Sequence, residues 1–291
     1  MTTLLETSVP ARAGELPIEK YIARAYPMLG MNRIRKLIAD RDVRVNGTRA
    51  QSGVSVSAGD ELKIYLSQAP DFSLEILFDE DGVLALYKPD GLPVDVDTDG
   101  IGEDTVLSRL KRLYPDACLV HRLDTYTSGV MLAAKDKDTA EQLEKMFREH
   151  LFIKHYHALV LGNMPQRKGE LCAYLVKDAK SAQVRVSDKN SPGALEIQTN
   201  YTVMSQEQLS GYTVSKLLVE IPTGRTHQIR AHLAHISHPL VGDDKYGNRQ
   251  ANKALSARTP RLECCEIRVK DNEILPFLSG KRLELPKPEK R

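Results

Sequence analysis

Nine consecutive residues of mostly polar character, His121-Arg122-Leu123-Asp124-Thr125-Tyr126-Thr127-Ser128-Gly129, stand between two apolar runs at 118–120 and 130–134. Apolar runs of that length, bounded by polar residues and glycine, read as strands, so the stretch between them is a loop set against a sheet with one acidic side chain, Asp124, in it. Further strand-like runs at 74–78, 83–87, 156–161, 196–203 and 212–221 outnumber the helical patterns at 106–113 and 139–147. Several neighbours are separated by short turns such as Asp79-Glu80-Asp81-Gly82, which suit antiparallel strands, whereas parallel neighbours need long crossovers. The chain is therefore expected to be α+β, with a mixed, mostly antiparallel sheet and helices packed on it.

At 291 residues the chain has room for one large core and a small accessory unit. Its 41% hydrophobic and 27% charged residues are close to globular averages and exclude a fibre or a wholly disordered chain. No uncharged run approaches the ~18 residues a membrane helix requires, and residues 1–15 lack the apolar segment of a signal peptide, so a cytoplasmic location is expected. Cys118, Cys172, Cys264 and Cys265 show neither a disulfide framework nor zinc-site spacing and read as reduced and structural. A net charge of +2 says little about partners, because whole-chain balance conceals clustering. Residues 33–49 hold six basic side chains, Arg33, Arg35, Lys36, Arg41, Arg44 and Arg49, against Asp40 and Asp42.

Residues 1–13 read as a flexible leader. Pro17 suits the start of a helix whose Ile18, Ile22 and Ala25 share a face; Pro27 and Gly30 end it, and Asn32 is placed to cap a second helix with Ile34, Leu37 and Ile38 as its apolar stripe. Val43-Arg44-Val45, the Asn46-Gly47 turn and the alternating Leu62-Lys63-Ile64-Tyr65-Leu66 then predict a small sheet. Residues 14–67 in this arrangement are similar to the S-four-like RNA-binding module named for a ribosomal protein. Its basic surface, with Arg33, Arg35, Lys36, Arg41 and Arg44, would hold phosphates without reading sequence; a merely solvated helix face is the alternative. Residues 68–73 form the linker, 74–280 the second domain, and 281–291 a frayed basic tail.

Seven of the nine positions from His121 to Gly129, all but Thr125 and Tyr126, match a pattern whose chance occurrence is on the order of 10⁻⁹ per start position at average residue usage. The stretch resembles the signature of RluA-type pseudouridine synthases. Three more stretches resemble the family's motifs in the family's order: Tyr87-Lys88-Pro89-Asp90-Gly91-Leu92-Pro93-Val94, Lys154-His155-Tyr156-His157-Ala158, and Pro222-Thr223-Gly224-Arg225-Thr226-His227-Gln228-Ile229-Arg230-Ala231-His232. Val241-Gly242-Asp243-Asp244-Lys245-Tyr246-Gly247 extends the likeness. Such enzymes break the bond from sugar to uracil nitrogen, turn the base and rejoin the sugar to ring carbon five, an isomerisation that needs no redox cofactor and no metal. By the resemblance Asp124 is the catalytic aspartate, acting as nucleophile or by promoting elimination at the sugar. Arg230 pairs with it and keeps it ionised. Tyr156 meets the flipped base, Arg122 the vacated or flipped nucleotide, Tyr126 tunes target choice and Lys88 supports the site from the substrate-binding side.

The implied partner is structured RNA, large-subunit ribosomal RNA being favoured and transfer RNA the alternative, with no membrane partner and a monomer expected. His227, His232, His235 and His238 invite a metal, but His227 and His232 are five apart and do not share a helical face. His121 reads as structural. A non-enzymatic RNA-binding or ribosome-assembly factor is the competing class, and a metal-dependent hydrolase the third. Asp95 and Cys264-Cys265 depart from residues frequent in the family at those places.

Overall fold

The computed structural model describes residues 3–96, 99–177 and 184–286. It divides into two compact units, one of Met1–Leu74 with Gly91–Ala117 and one of Glu75–Asp90 with Cys118–Arg291.

The first unit comprises β1 (Thr3–Ser8), β2 (Leu16–Pro17), α1 (Ile18–Ala25), α2 (Met31–Ala39), β3 (Val43–Val45), β4 (Thr48–Arg49), β5 (Ser55–Val56), β6 (Glu61–Leu66) and α3 (Val106–Leu113). Four of its strands form a sheet in the order β1-β6-β3-β4, antiparallel throughout. The Asn46-Gly47 turn joins β3 to β4 with both residues at positive φ, the geometry that matches the twist of a two-residue hairpin. Ile18, Ile22 and Ala25 of α1 and Ile34, Leu37 and Ile38 of α2 bury together with Val43, Leu62 and Ile64, as the helical spacing predicted.

Three expectations change here. Residues 3–8 are not a loose leader: they pair in register with β6 from Thr3 opposite Leu66 to Ser8 opposite Glu61, a partner more than fifty residues away that local pattern does not reveal. Asn32 does not cap α2, because Gly30 (φ 69°) turns the chain after a 3₁₀ turn at Pro27–Leu29 and the helix begins at Met31. Residues 91–117, expected in the second domain, group with the first unit: Ile101 joins its core, Arg24 pairs with Asp99 at 2.8 Å, and Asp104 N–H donates to the Ala25 carbonyl at 2.9 Å. Residues 68–73 form no helix or strand, but Phe72 lies against the guanidinium groups of Arg109 and Arg112.

The second unit comprises β7 (Glu75–Glu80), β8 (Val83–Lys88), β9 (Cys118–Leu119), β10 (Ser128–Ala134), α4 (Lys137–Arg148), β11 (Phe152–Leu161), β12 (Lys168–Lys177), β13 (Val184–Ser187), β14 (Leu195–Leu209), β15 (Tyr212–Ile221), α5 (Gln228–His235), α6 (Arg249–Ala254), β16 (Leu262–Val269) and β17 (Arg282–Glu284). Its eleven-stranded sheet runs β13-β12-β14-β15-β11-β16-β10-β8-β7, with β17 beside β16 and β9 beside β10. Every pairing is antiparallel except β10 with β16, so the mixed, mostly antiparallel α+β expectation holds. β10 is buried along almost its whole length, which explains why its sequence is continuously apolar and not alternating. Within the supposed tail, Arg282–Glu284 pair with Glu266–Arg268, while residues 287–291 lie outside the described residues. No helix among the described residues is long and apolar enough to cross a membrane.

Candidate active site

Asp124 sits in the loop that leads into β10, its side chain 26% exposed. Opposite it stands Arg230 on α5, a helix buried from Gln228 to Leu233 and therefore fixed in its register. The Arg230 guanidinium hydrogen-bonds to two carboxylates, and its Nη2 also lies 3.5 Å from Oδ1 of the exposed Asp244. Nε and Nη2 donate to Asp243 at 2.7 and 2.9 Å, a two-pronged pair in which both side chains are nearly or wholly buried, and Nη1 donates to Asp124 Oδ2 at 3.1 Å. A planar fork held on two of its nitrogens cannot swing, so the third points where the fork dictates. Asp243 is held in turn by the N–H groups of Lys245 and Tyr246, at 2.9 and 3.0 Å. Burial alone would raise the Asp243 carboxyl, yet the hydrogen bonds and charge of Arg230 lower it; burial would likewise lower Arg230, and Asp243 with Asp124 raises it above its ordinary value. Both members of the anchor are ionised, and a fixed positive charge faces Asp124.

The Asp124 loop is tied from below by Lys88 at the end of β8. Its ammonium is fully buried and donates to the carbonyls of Thr125 at 2.8 Å and Pro89 at 3.0 Å. Burial pushes its pKa down to about 7, with Asp90 and Asp124 opposing. The expectation that Lys88 binds RNA is thereby corrected: a side chain with no exposed surface reaches no substrate, and its contacts position the loop. Gly129 closes the same loop at a positive φ of 112°, where a Cβ would collide with the backbone of Cys264 on the parallel neighbour β16. His121 accepts the Leu132 N–H at 2.8 Å and lies against Phe147, and burial lowers its pKa to about 3, so it serves as a neutral acceptor of a strand N–H.

Tyr156 lies on β11 opposite Cys264, buried to 5% exposure. The pairing of β11 with β16 slips between His155 and Tyr156, leaving Cys265 as an extra residue, and such a bulge re-aims the side chains beside it. Burial, with contributions from Cys264 and Asp124, raises the Tyr156 hydroxyl well above its ordinary pKa, so it remains a neutral aromatic face. Cys264-Cys265, a departure from the family pattern, thus sits at this bulge; burial pushes the two thiols up to about 12 and about 11, and no disulfide joins cysteines among the described residues.

Arg122 and Tyr126 flank Asp124 in sequence and are both exposed, Tyr126 at 46%. In the first unit Arg35, Lys36 and Arg41 are exposed; Arg44 lies over the Tyr65 ring at 5.5 Å, and Arg33 donates to the Gln68 carbonyl at 2.6 Å, so these two are partly engaged within the protein. Sequence reasoning gave no role to Asp243, whose signal was its place in the Val241–Gly247 stretch, nor to His227. His227 Nε2 lies 3.9 Å from Asp124 Oδ2, and its Nδ1 lies 2.9 Å from the Tyr246 hydroxyl. The other three histidines do not gather around it: His232 contacts Thr199, His235 contacts Asp188 and His238 the Leu161 carbonyl.

Residues 82–235 match the family model described as RNA pseudouridylate synthase, more than half of the chain. Among curated proteins the chain is 28% identical over 257 residues to ribosomal large subunit pseudouridine synthase C of Rickettsia conorii, covering 80% of this chain and 82% of that one. It is 32% identical over 247 residues to ribosomal large subunit pseudouridine synthase D of Yersinia pestis, covering 80% and 73%, and 35% identical over 187 residues to the dual-specificity RNA pseudouridine synthase RluA of Vibrio parahaemolyticus, covering 63% and 73%. The solved structure of human RNA pseudouridylate synthase domain containing 1 shares the fold at a TM-score of 0.61 and 23% identity, covering 76% of this chain and 86% of that one. The extent of the family match and the identity to the Yersinia protein carry the assignment, and the chain belongs to the RNA pseudouridylate synthase family.

Proposed function

We propose that this RNA pseudouridine synthase acts on a uridine of large-subunit ribosomal RNA, with Asp124 as the group that attacks or promotes elimination at the sugar. The observation that carries the role of Asp124 is its placement: a partly exposed carboxylate receives the one Arg230 nitrogen that buried Asp243 leaves over. A charge-assisted hydrogen bond from a guanidinium that cannot reorient keeps that carboxylate aimed before substrate arrives. Tyr156 offers a neutral ring to the uracil, Arg122 occupies or grips the space the flipped nucleotide leaves, Tyr126 adjusts target choice, and Lys88 holds the loop through Thr125. Residues 14–67 serve as an S-four-like module whose exposed Arg35, Lys36 and Arg41 hold phosphates. The ribosomal substrate rests on analogy with relatives named as large-subunit enzymes; transfer RNA is the second reading, favoured by the relative named as dual-specificity.

The test is release of hydrogen from uracil ring carbon five. Large-subunit ribosomal RNA from cells lacking the protein is treated with wild type and with Asp124→Asn. Wild type releases hydrogen and the variant is slower by on the order of 10⁴-fold, the scale on which removing a catalytic nucleophile acts. Release only from transfer RNA would move the substrate; an active Asp124→Asn would remove the assigned role.

A further inference from the structure

We propose that His227 is a further catalytic residue of this reaction, the base that takes the hydrogen from ring carbon five after the sugar has been rejoined there. The proposal rests on the placement of the reacting sugar and base beside Asp124.

Backbone geometry first sets this histidine apart. It occupies the turn immediately before α5 in the left-handed conformation, φ 53° and ψ 20°, and its side chain caps no helix N–H. For a residue other than glycine that conformation is strained, by about 1–2 kcal/mol. The ring it presents is then fixed. Nδ1 lies 2.9 Å from the Tyr246 hydroxyl, that oxygen accepts the Val184 N–H at 3.0 Å, and the two rings meet edge-on at 5.6 Å. Nε2 is left facing Asp124 Oδ2 at 3.9 Å, near enough to share a substrate with it and too far to be used up in a hydrogen bond to it. The proposal takes the tautomer in which Nδ1–H donates to the Tyr246 oxygen, which leaves the lone pair on Nε2.

The chemistry requires an acceptor at this place. When the carbon–carbon bond to the sugar has formed, ring carbon five bears both sugar and hydrogen. The C–H bond breaks and its electron pair re-forms the double bond between ring carbons five and six, the π pair that ring carbon six had shared with nitrogen one returns to nitrogen one, the proton passes to Nε2 and then to water, and nitrogen one, freed from the sugar, takes up a proton. One hydrogen leaves and one arrives, so the isomerisation balances. Several neighbouring groups are unsuited. Arg230, Tyr156 and Tyr246 all have raised pKa values and hold their protons, while Asp243 is engaged in the Arg230 fork. The groups acting on His227 itself are Asp124 and Asp243, which favour its charged form, and Arg230 and Lys245, which with burial favour the neutral one; burial is the largest influence and the net shift is downward, toward a free base.

The experiment uses the full-length protein and RNA carrying uridine deuterated at ring carbon five. His227→Gly suits the left-handed backbone and leaves room for added imidazole; His227→Asn, which also tolerates that backbone, provides a second fold-preserving variant. The expected result is turnover slowed by about 100-fold or more, a deuterium isotope effect that rises from near unity in wild type to a plainly normal value, and partial rescue of the glycine variant by imidazole in its neutral form. Turnover like wild type, or slow turnover with neither isotope effect nor rescue, overturns the proposal. Asp124→Asn is run alongside: if it stays active the reading of Asp124 fails, whereas an inactive Asp124→Asn beside an indifferent His227 removes only the base assigned here.

Discussion

The two units contain the same device put to different ends. In the first, Arg109 donates Nε and Nη2 to Asp104 at 2.7 and 2.9 Å, and in the second, Arg230 donates the same two nitrogens to Asp243 at 2.7 and 2.9 Å. Both aspartates are completely buried and both arginines nearly so. The difference lies in the remaining nitrogen. Arg109 Nη1 donates to the backbone carbonyl of Ser73 at 3.0 Å, whereas Arg230 Nη1 donates to the Asp124 carboxylate at 3.1 Å. One fork ends on a neutral group and ties a segment down. The other ends on the carboxylate proposed above as the reagent and fixes its orientation. A buried arginine–aspartate pair is thus no mark of function by itself; what matters is where the spare donor points.

That contrast can be broken by substitution. Arg230→Met and Arg109→Met each strand a buried aspartate, and each should cost about 3–5 kcal/mol of stability in urea denaturation, but only Arg230→Met should also depress turnover per folded molecule. Equal losses of turnover at both positions would erase the distinction. Arg230→Lys and Arg109→Lys keep the charge and lose the two-pronged geometry, with smaller destabilisation of about 1–3 kcal/mol and, again, a turnover defect confined to position 230.

Lys88 sharpens the comparison from the other side, as a buried cation held by carbonyls with no carboxylate fork. Its folded pKa of about 7 lies below the ordinary value of 10.5, so between those limits the unfolded chain binds more protons than the folded one. Its contribution to stability is therefore present at high pH and is lost as pH falls through that window toward about 7. Relative to Lys88→Met, wild type should gain stability from pH 7 to pH 10, measured by denaturation at each pH; a flat difference would mean that the ammonium is not desolvated as its burial implies.

Much of this molecule could be read locally. The hairpin of β7 and β8, helix α3 and strand β15 follow from apolar spacing and turn residues, because each is decided by neighbours within a few positions. Asp124, Arg230, Tyr156 and Arg122 were named from motif resemblance, and the structure brings Asp124 and Arg230 into contact across 106 residues of sequence. β12, β13 and β16 were not anticipated, since Lys168–Lys177 interleaves polar residues in a way that becomes a strand only beside β14.

By itself the sequence determined which residue types the reaction has at its disposal, where the polar loops interrupt the strands, and that the sheet would be mostly antiparallel. Only the tertiary structure decided that residues 3–8 are a strand, that Lys88 is buried against the carbonyl of Thr125 in the Asp124 loop, that Asp243 holds Arg230, and that His227 turns its Nε2 toward Asp124. The physical reason is one of range. Periodicity and turn chemistry act within a few residues, while burial, strand register and the direction of a buried guanidinium depend on partners that the folded chain alone brings together.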